Sequence, residues 1–114
     1  MPELMQQDIV WVRFPFSSME DAKFRPAVVV SNNTYNRKNS DVIVCAITSN
    51  LEPKDYSIVI DNSNLDSGKL PIKSKIRADK ISLMEKKIID KPFAKLNIKT
   101  FEMLSKEIFR LVKK

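Results

Sequence analysis

Phe24-Arg25-Pro26-Ala27-Val28-Val29-Val30-Ser31-Asn32 and Asp41-Val42-Ile43-Val44-Cys45-Ala46-Ile47-Thr48-Ser49-Asn50 are two apolar runs that each close on polar residues. β-Branched runs of this length read as strands. Pro26 has no N–H to give a ladder, so it belongs at the first positions of its strand or on an edge. Arginine therefore opens one strand and threonine ends the other. Antiparallel pairing brings a guanidinium and a hydroxyl to one rim, a combination suited to a phosphate diester.

Outward from this pair, Ile9-Val10-Trp11-Val12-Arg13-Phe14 reads as a strand, with Trp11 in the core. Residues 15–23 read as a loop, long for a hairpin and so a candidate functional segment. Ser31–Ser40 is an asparagine-rich loop or short helical turn. Ser57–Ile60 is a strand, Asp61–Lys69 a loop holding the only glycine, Gly68, and strands return at Ser74–Ile81 and near Lys87–Asp90. From Ile98 the apolar residues Phe101, Leu104, Ile108, Leu111 and Val112 recur at helical spacing. Asn97 can cap that helix, and Arg110, Lys113 and Lys114 suit its negative end. Several short strands and one helix indicate a mainly β fold, a small antiparallel barrel or strongly bent sheet with a C-terminal helix packed on it. The helix face is core in the plain reading and part of a dimer interface in the second.

The 114 residues suffice for one domain, 1–114, with a single core. No apolar run approaches the roughly 18 residues that span a bilayer, and the N-terminus lacks a signal peptide's apolar region, so a cytoplasmic protein is expected. Cys45, inside an apolar strand, reads as a buried thiol. The net charge of +6 is uneven: residues 1–57 carry 6 basic and 7 acidic side chains, residues 58–114 carry 14 and 7. Lys69, Lys73, Lys75, Arg77 and Lys80 stand against Asp79 alone within one short stretch. That patch fits a polyanion such as RNA, or equally a solvated surface.

Histidine is absent. The commonest metal ligand and the commonest neutral-pH base are therefore missing, which rules out a Ser/His/Asp triad and histidine-held zinc. No cysteine or carboxylate spacing suggests a metal site, no glycine-rich phosphate loop exists, and no cofactor is implied.

Gln7-Asp8-Ile9-Val10-Trp11-Val12, Arg25–Asn32, Ile47-Thr48-Ser49-Asn50 and Gly68–Ile81 follow one another as in the MazF/PemK toxins of type II toxin–antitoxin systems, and the chain resembles that family over nearly its whole length. Two departures stand out: Gln7 replaces a glycine usual in the family, and the loop after Phe16 lacks glycines often found there. The resemblance implies an SH3-like barrel of the MazF/CcdB plasmid-toxin type, usually a homodimer. It also implies a metal-independent endoribonuclease that cuts single-stranded mRNA at short sequences. A cognate antitoxin (MazE/PemI-like), with an acidic disordered tail over the RNA groove, would neutralise it.

Such cleavage uses the RNA's own 2′-OH, giving a 2′,3′-cyclic phosphate and a 5′-OH, and the protein must hold in-line geometry and stabilise the phosphorane. Arg25 fits that charge, since a guanidinium offers phosphate a planar fork. Any arginine, with a pKa above about 12, is a poor base, so electrostatic stabilisation is its expected work. Thr48 can donate to a non-bridging oxygen or orient the 2′-OH. For RNA contacts the candidates are Phe16 and Ser17 on the long loop, Ser49, Asn50, Lys54, Lys73, Lys75 and Arg77. Plainer readings stand beside these. Thr48-Ser49-Asn50 is equally a turn closed by local side-chain bonds, Arg25 a surface salt bridge to Glu20 or Asp21, and Phe16 a core residue. Asp8 reads as holding a turn or orienting Arg25. A gyrase-binding toxin like CcdB and a non-catalytic SH3-like module are the alternatives on the same barrel.

Overall fold

The computed structural model describes residues 3–13 and 24–114. Its elements run β1 (Asp8–Arg13), β2 (Phe24–Val29), α1 (Asn33–Lys38), β3 (Asp41–Thr48), β4 (Ser57–Ile60), β5 (Leu65–Gly68), β6 (Ser74–Glu85), β7 (Ala94–Leu96) and α2 (Ile98–Val112). Seven strands form one antiparallel sheet in the order β4-β6-β3-β2-β1-β7-β5. The fold is mainly β with a C-terminal helix, as the strand pattern and the resemblance both anticipate.

The sheet curls because strands from both its ends share one core. Ile60 of β4 and Leu96 of β7 pack in the same cluster as Val28, Cys45 and Ile47 of the central strands and Phe101 and Leu104 of α2. The opposite face of the centre is buried too: Val10, Val12, Ala27, Val29, Val44 and Ala46 cluster with Leu4 and Met84. Near-continuous apolar runs in β2 and β3 follow from this two-sided burial. Cys45 is fully buried, and burial, with Asp79's charge second, pushes its thiol up to about 12.

Several expected boundaries shift. The first strand starts at Asp8, and α1 realises the helical turn, its Asn32 cap accepting from the Tyr35 N–H at 2.8 Å. Asp61–Lys69 is not all loop: β5 lies inside it, paired with β7. β6 runs on to Glu85, whereas Lys86–Ile88 forms a 3-10 turn rather than a strand. The Lys86 N–H is bonded to the Ser40 carbonyl instead of a ladder. Trp11 is half-buried and stacked on Phe93, ring centroids 5.1 Å apart. α2 begins as expected, with Asn97 Oδ1 accepting from the Thr100 N–H at 2.8 Å.

Gln7 keeps a left-handed backbone, φ 81°, where the family's glycine would sit. The turn holds because its amide donates to the Val29 carbonyl, its carbonyl accepts from Leu96, and its side-chain Nε2 donates to the Leu96 carbonyl at 2.8 Å. Among the described residues no helix is long and apolar enough to cross a membrane.

Candidate active site

β2 and β3 pair through Ala27↔Ala46, Val28↔Cys45 and Val29↔Val44. Continued by two residues, that register sets Arg25 directly across from Thr48. On the other side of β3, Thr48 pairs with Lys75 of β6. Directly opposed residues share a face, with Cβ atoms about 4.5–5.5 Å apart. Arg25, Thr48 and Lys75 thus form a row across three adjacent strands, on the face of Ala27 and Ala46.

β6 is sharply irregular beside this row. Cys45 pairs with Ile81 but Ile47 with Ile76, so the four residues Arg77–Lys80 stand against the single residue Ala46. Bulges of this kind re-aim side chains and raise local twist. Here the bulge gathers charge. Arg77 donates from Nε and Nη2 to the two carboxylate oxygens of Asp79 at 2.8 and 2.9 Å, and Lys54 Nζ lies 3.7 Å from Asp79. The Arg77 fork, followed by its own charge and that of Lys54, holds the Asp79 carboxyl below its ordinary value against the opposing effect of burial. The same bond raises Arg77 above the usual guanidinium value.

Two shallow clefts flank the row. One, of about 240 Å³, is lined by Thr48, Asn50, Lys54, Lys75 and Arg77. The other, of about 370 Å³, is lined by Phe24, Arg25, Ser49 and Ile72. Seven candidates therefore converge: Arg25, Thr48, Ser49, Asn50, Lys54, Lys75 and Arg77. Thr48 and Asn50 do form the expected turn. Thr48 Oγ1 accepts from the Asn50 N–H at 3.2 Å, and Asn50 Oδ1 from the Glu52 N–H at 3.0 Å. An accepting hydroxyl keeps its own proton to donate, so turn and phosphate contact are compatible.

Lys75 departs from its expected place as a surface cation. It is 4% exposed, and its Nζ donates to the Glu52 carbonyl at 2.6 Å. Position opposite Thr48 buries it, and its charge ties the segment after β3 down beside the hydroxyl. Lys73 is exposed and lines neither cleft; it adds to the lowering of Asp61, whose carboxyl is held down first by its bonds from Ser63. Asp8 lies at the far end of β1 from Val12, the partner of Arg25. Its Oδ2 accepts from the Met5 N–H at 2.8 Å, with Lys95 3.8 Å away, so it holds the turn and does not orient Arg25. Phe16, Ser17 and the salt-bridge partners Glu20 and Asp21 lie outside the described residues. Sequence alone does not single out Asp79 or Glu52 as site residues; Asp79 stands within the basic stretch, which is the available signal.

The sequence family described as PemK-like, MazF-like toxin of type II toxin-antitoxin system matches residues 5–112. The chain belongs to this toxin family. Solved structures of similar fold include MazF from Deinococcus radiodurans (TM-score 0.76, 18% identity, 96% of each chain covered). An endoribonuclease in complex with its cognate antitoxin from Mycobacterial species has a TM-score of 0.77 at 16% identity, over 94% of this chain and 92% of that one. Mycobacterium tuberculosis toxin MazF-mt6 gives 0.74 at 16%, over 90% and 93%. At such identities the likeness is one of fold. No curated protein matches the sequence. Among the described residues no three His, Cys, Asp or Glu side chains cluster as metal ligands would.

Proposed function

We propose that this member of the PemK/MazF family is an endoribonuclease toxin. It cleaves single-stranded RNA by attack of the 2′-oxygen on the adjacent phosphorus, with no metal required. The observation that carries this reading is the row Arg25–Thr48–Lys75 with the Arg77–Asp79–Lys54 cluster beside it. In the step, the P–O2′ bond forms and the P–O5′ bond breaks; the 2′-oxygen loses a proton and the 5′-oxygen gains one. Arg25 offers its fork to the non-bridging oxygens, where charge grows most in the phosphorane. Thr48 donates its proton to one of those oxygens and fixes in-line geometry. Lys75, through Glu52, holds the segment carrying Asn50 against the row. Ser49, Asn50, Lys54 and Arg77 contact the chain on either side of the cut, with Lys73 further out; Phe16 and Ser17 stay candidates for RNA contact by their residue type.

The partner is a cognate antitoxin whose acidic segment competes for the same cations, in keeping with the family and with the antitoxin-bound mycobacterial enzyme of like fold. A second copy is the other partner. On the α2 side of the sheet, Leu83 is 60%, Phe109 63% and Val112 70% exposed, apolar area that a homodimer would cover.

The test is incubation with a long single-stranded RNA in EDTA, followed by mapping of the ends. Cuts restricted to a short motif, bearing 2′,3′-cyclic phosphate and lost in both Arg25→Ala and Thr48→Ala, are expected. Intact RNA, or cleavage indifferent to both substitutions, overturns the reading.

A further inference from the structure

Attack by a 2′-oxygen requires that oxygen, the phosphorus and the 5′-oxygen to lie in line. A regularly stacked strand does not hold them so, and the nucleosides flanking the cut must be turned apart. The two clefts beside the Arg25–Thr48 row differ in the groups they can take. The one at Thr48 carries Glu52, Lys54, Lys75 and Arg77, and suits phosphates and polar base edges. The one at Arg25 is walled instead by Phe24, Pro26, Ile47, Pro71 and Ile72.

Strand alternation explains this second cleft. Val28 and Cys45 pair across β2 and β3 and are fully buried in the core that the curled sheet encloses. Pro26 and Phe24 continue that face outward along β2, and Ile47 and Ser49 continue it along and just past β3. The cleft is thus the open mouth of the core, while Arg25 and Thr48 alternate to the other face of the same two strand ends. Ile47 is 1% exposed, whereas Phe24 is 61% and Ile72 60% exposed, so the apolar lining runs from a closed floor to bare walls. A nucleobase matches such a slot, with flat apolar faces to stack and a polar edge to satisfy. Ser49 and Ser74 bring hydroxyls to it; Ser74 Oγ donates to the Ile72 carbonyl at 2.8 Å, which leaves its oxygen able to accept. Arg25 lines the same cleft, so a phosphate on its guanidinium has a neighbouring base beside the slot.

Resting on the endoribonuclease reading, we propose that the cleft between Phe24 and Ile72 is a nucleobase subsite. One of the two bases flanking the cut turns out of the strand and stacks on Phe24. The scissile phosphate is then held on Arg25 and Thr48 with its neighbours splayed, as in-line attack demands. A face otherwise rich in cations keeps these bare apolar walls because phosphate contacts alone cannot unstack a base.

The experiment uses an oligoribonucleotide with one mapped cleavage site and two relatives, each lacking one of the bases that flank the cut but keeping its ribose and phosphates. Single-turnover rates are measured in EDTA with protein below saturation. Wild type should lose about 5- to 100-fold on one of the two abasic strands, the usual worth of a stacked base. Phe24→Ala should lose a similar factor on the intact strand and little more when that same base is missing, the signature of a direct contact. Phe24→Trp should keep the intact-strand rate, and Ile72→Asp, which puts a charge on the second bare wall, should repeat the loss. Wild-type cleavage of the intact strand by Phe24→Ala or Ile72→Asp overturns the proposal, as does a Phe24→Ala loss that multiplies in full with both base deletions. If Phe24→Ala cuts as wild type but dimerises less in sedimentation, the slot belongs to a second copy and the proposal fails. A folded wild-type protein that leaves the intact strand and all other RNA uncut would instead refute the endoribonuclease reading itself.

Discussion

Replacing Asp79 by asparagine tests the charged bulge of β6 directly. The wild-type carboxylate accepts two N–H bonds from Arg77 at 2.8 and 2.9 Å and faces Lys54 at 3.7 Å, its side chain 23% and that of Arg77 28% exposed. Hydrogen bonds to a charged group contribute about 1.5–3 kcal/mol net. Asparagine keeps one acceptor oxygen, and partial exposure screens the lost charge. The expected loss is therefore about 1–2 kcal/mol near neutral pH, a fall in Tm of roughly 4–8 °C for a domain of this size. The pH dependence has a definite sign. Asp79's folded-state pKa lies below 3.8, so its stabilisation is fully present above that value and is lost as pH falls through the depressed one. Asparagine has no proton to bind. Urea unfolding of both proteins from about pH 7 downward should show the gap constant to about pH 4 and closing below it. A gap that stays constant to the acid end, or no gap at neutral pH, would refute the assignment of Asp79 as the ionised anchor of Arg77.

Gln7→Ala removes the side-chain bond to Leu96 but leaves a Cβ at φ 81°, whereas Gln7→Gly removes both, so chemical denaturation should find the alanine variant less stable than the glycine one by about 1 kcal/mol. Gly68→Ala would place a Cβ 2.2 Å from the Phe93 carbonyl oxygen and 2.5 Å from Ala94 Cα at φ +77°, and since both are backbone the β5–β7 ladder must open. A loss of about 3 kcal/mol, read from urea midpoints, is expected. Cys45, buried and with its thiol pushed up to about 12, should resist iodoacetamide at neutral pH in the native protein and react once unfolded; fast native labelling would contradict its burial.

How much of this was legible in the sequence depended on whether local pattern or tertiary pairing made each element. β3 could be read residue by residue, because two-sided burial leaves a long β-branched run with polar stops, and the short β4 declares itself by its β-branched composition alone. α2 was equally plain: its 3.6-residue stripe and Asn97 cap are local signals. Leu65-Asp66-Ser67-Gly68 has no such signal. It is a strand only because Ala94–Leu96 lies alongside, and neither segment alternates long enough to declare itself. Lys87–Asp90 erred the other way, an apolar pair that follows Lys86, whose amide is bonded to Ser40 and opens a 3-10 turn.

The same distinction separates the two halves of the candidate site. Arg25 and Thr48 stand at strand ends, where sequence alone locates them, and a uniform antiparallel register is enough to set them opposite one another. The bulge is different, because Lys75-Ile76-Arg77-Ala78-Asp79-Lys80-Ile81 reads as continuous alternation, and nothing in it announces that four residues oppose one. A regular ladder would carry every second residue of this stretch to one face and leave Lys75, Arg77 and Asp79 as equal neighbours. The three-residue offset instead buries Lys75 opposite Thr48 and turns Arg77 back onto Asp79. Two cations that look interchangeable as charge thus acquire different chemistry: one commits its donor to a carbonyl, the other holds its proton more tightly against a carboxylate. Net charge marks a basic face, but only the register separates the cation tied to the backbone from the one tied to a carboxylate.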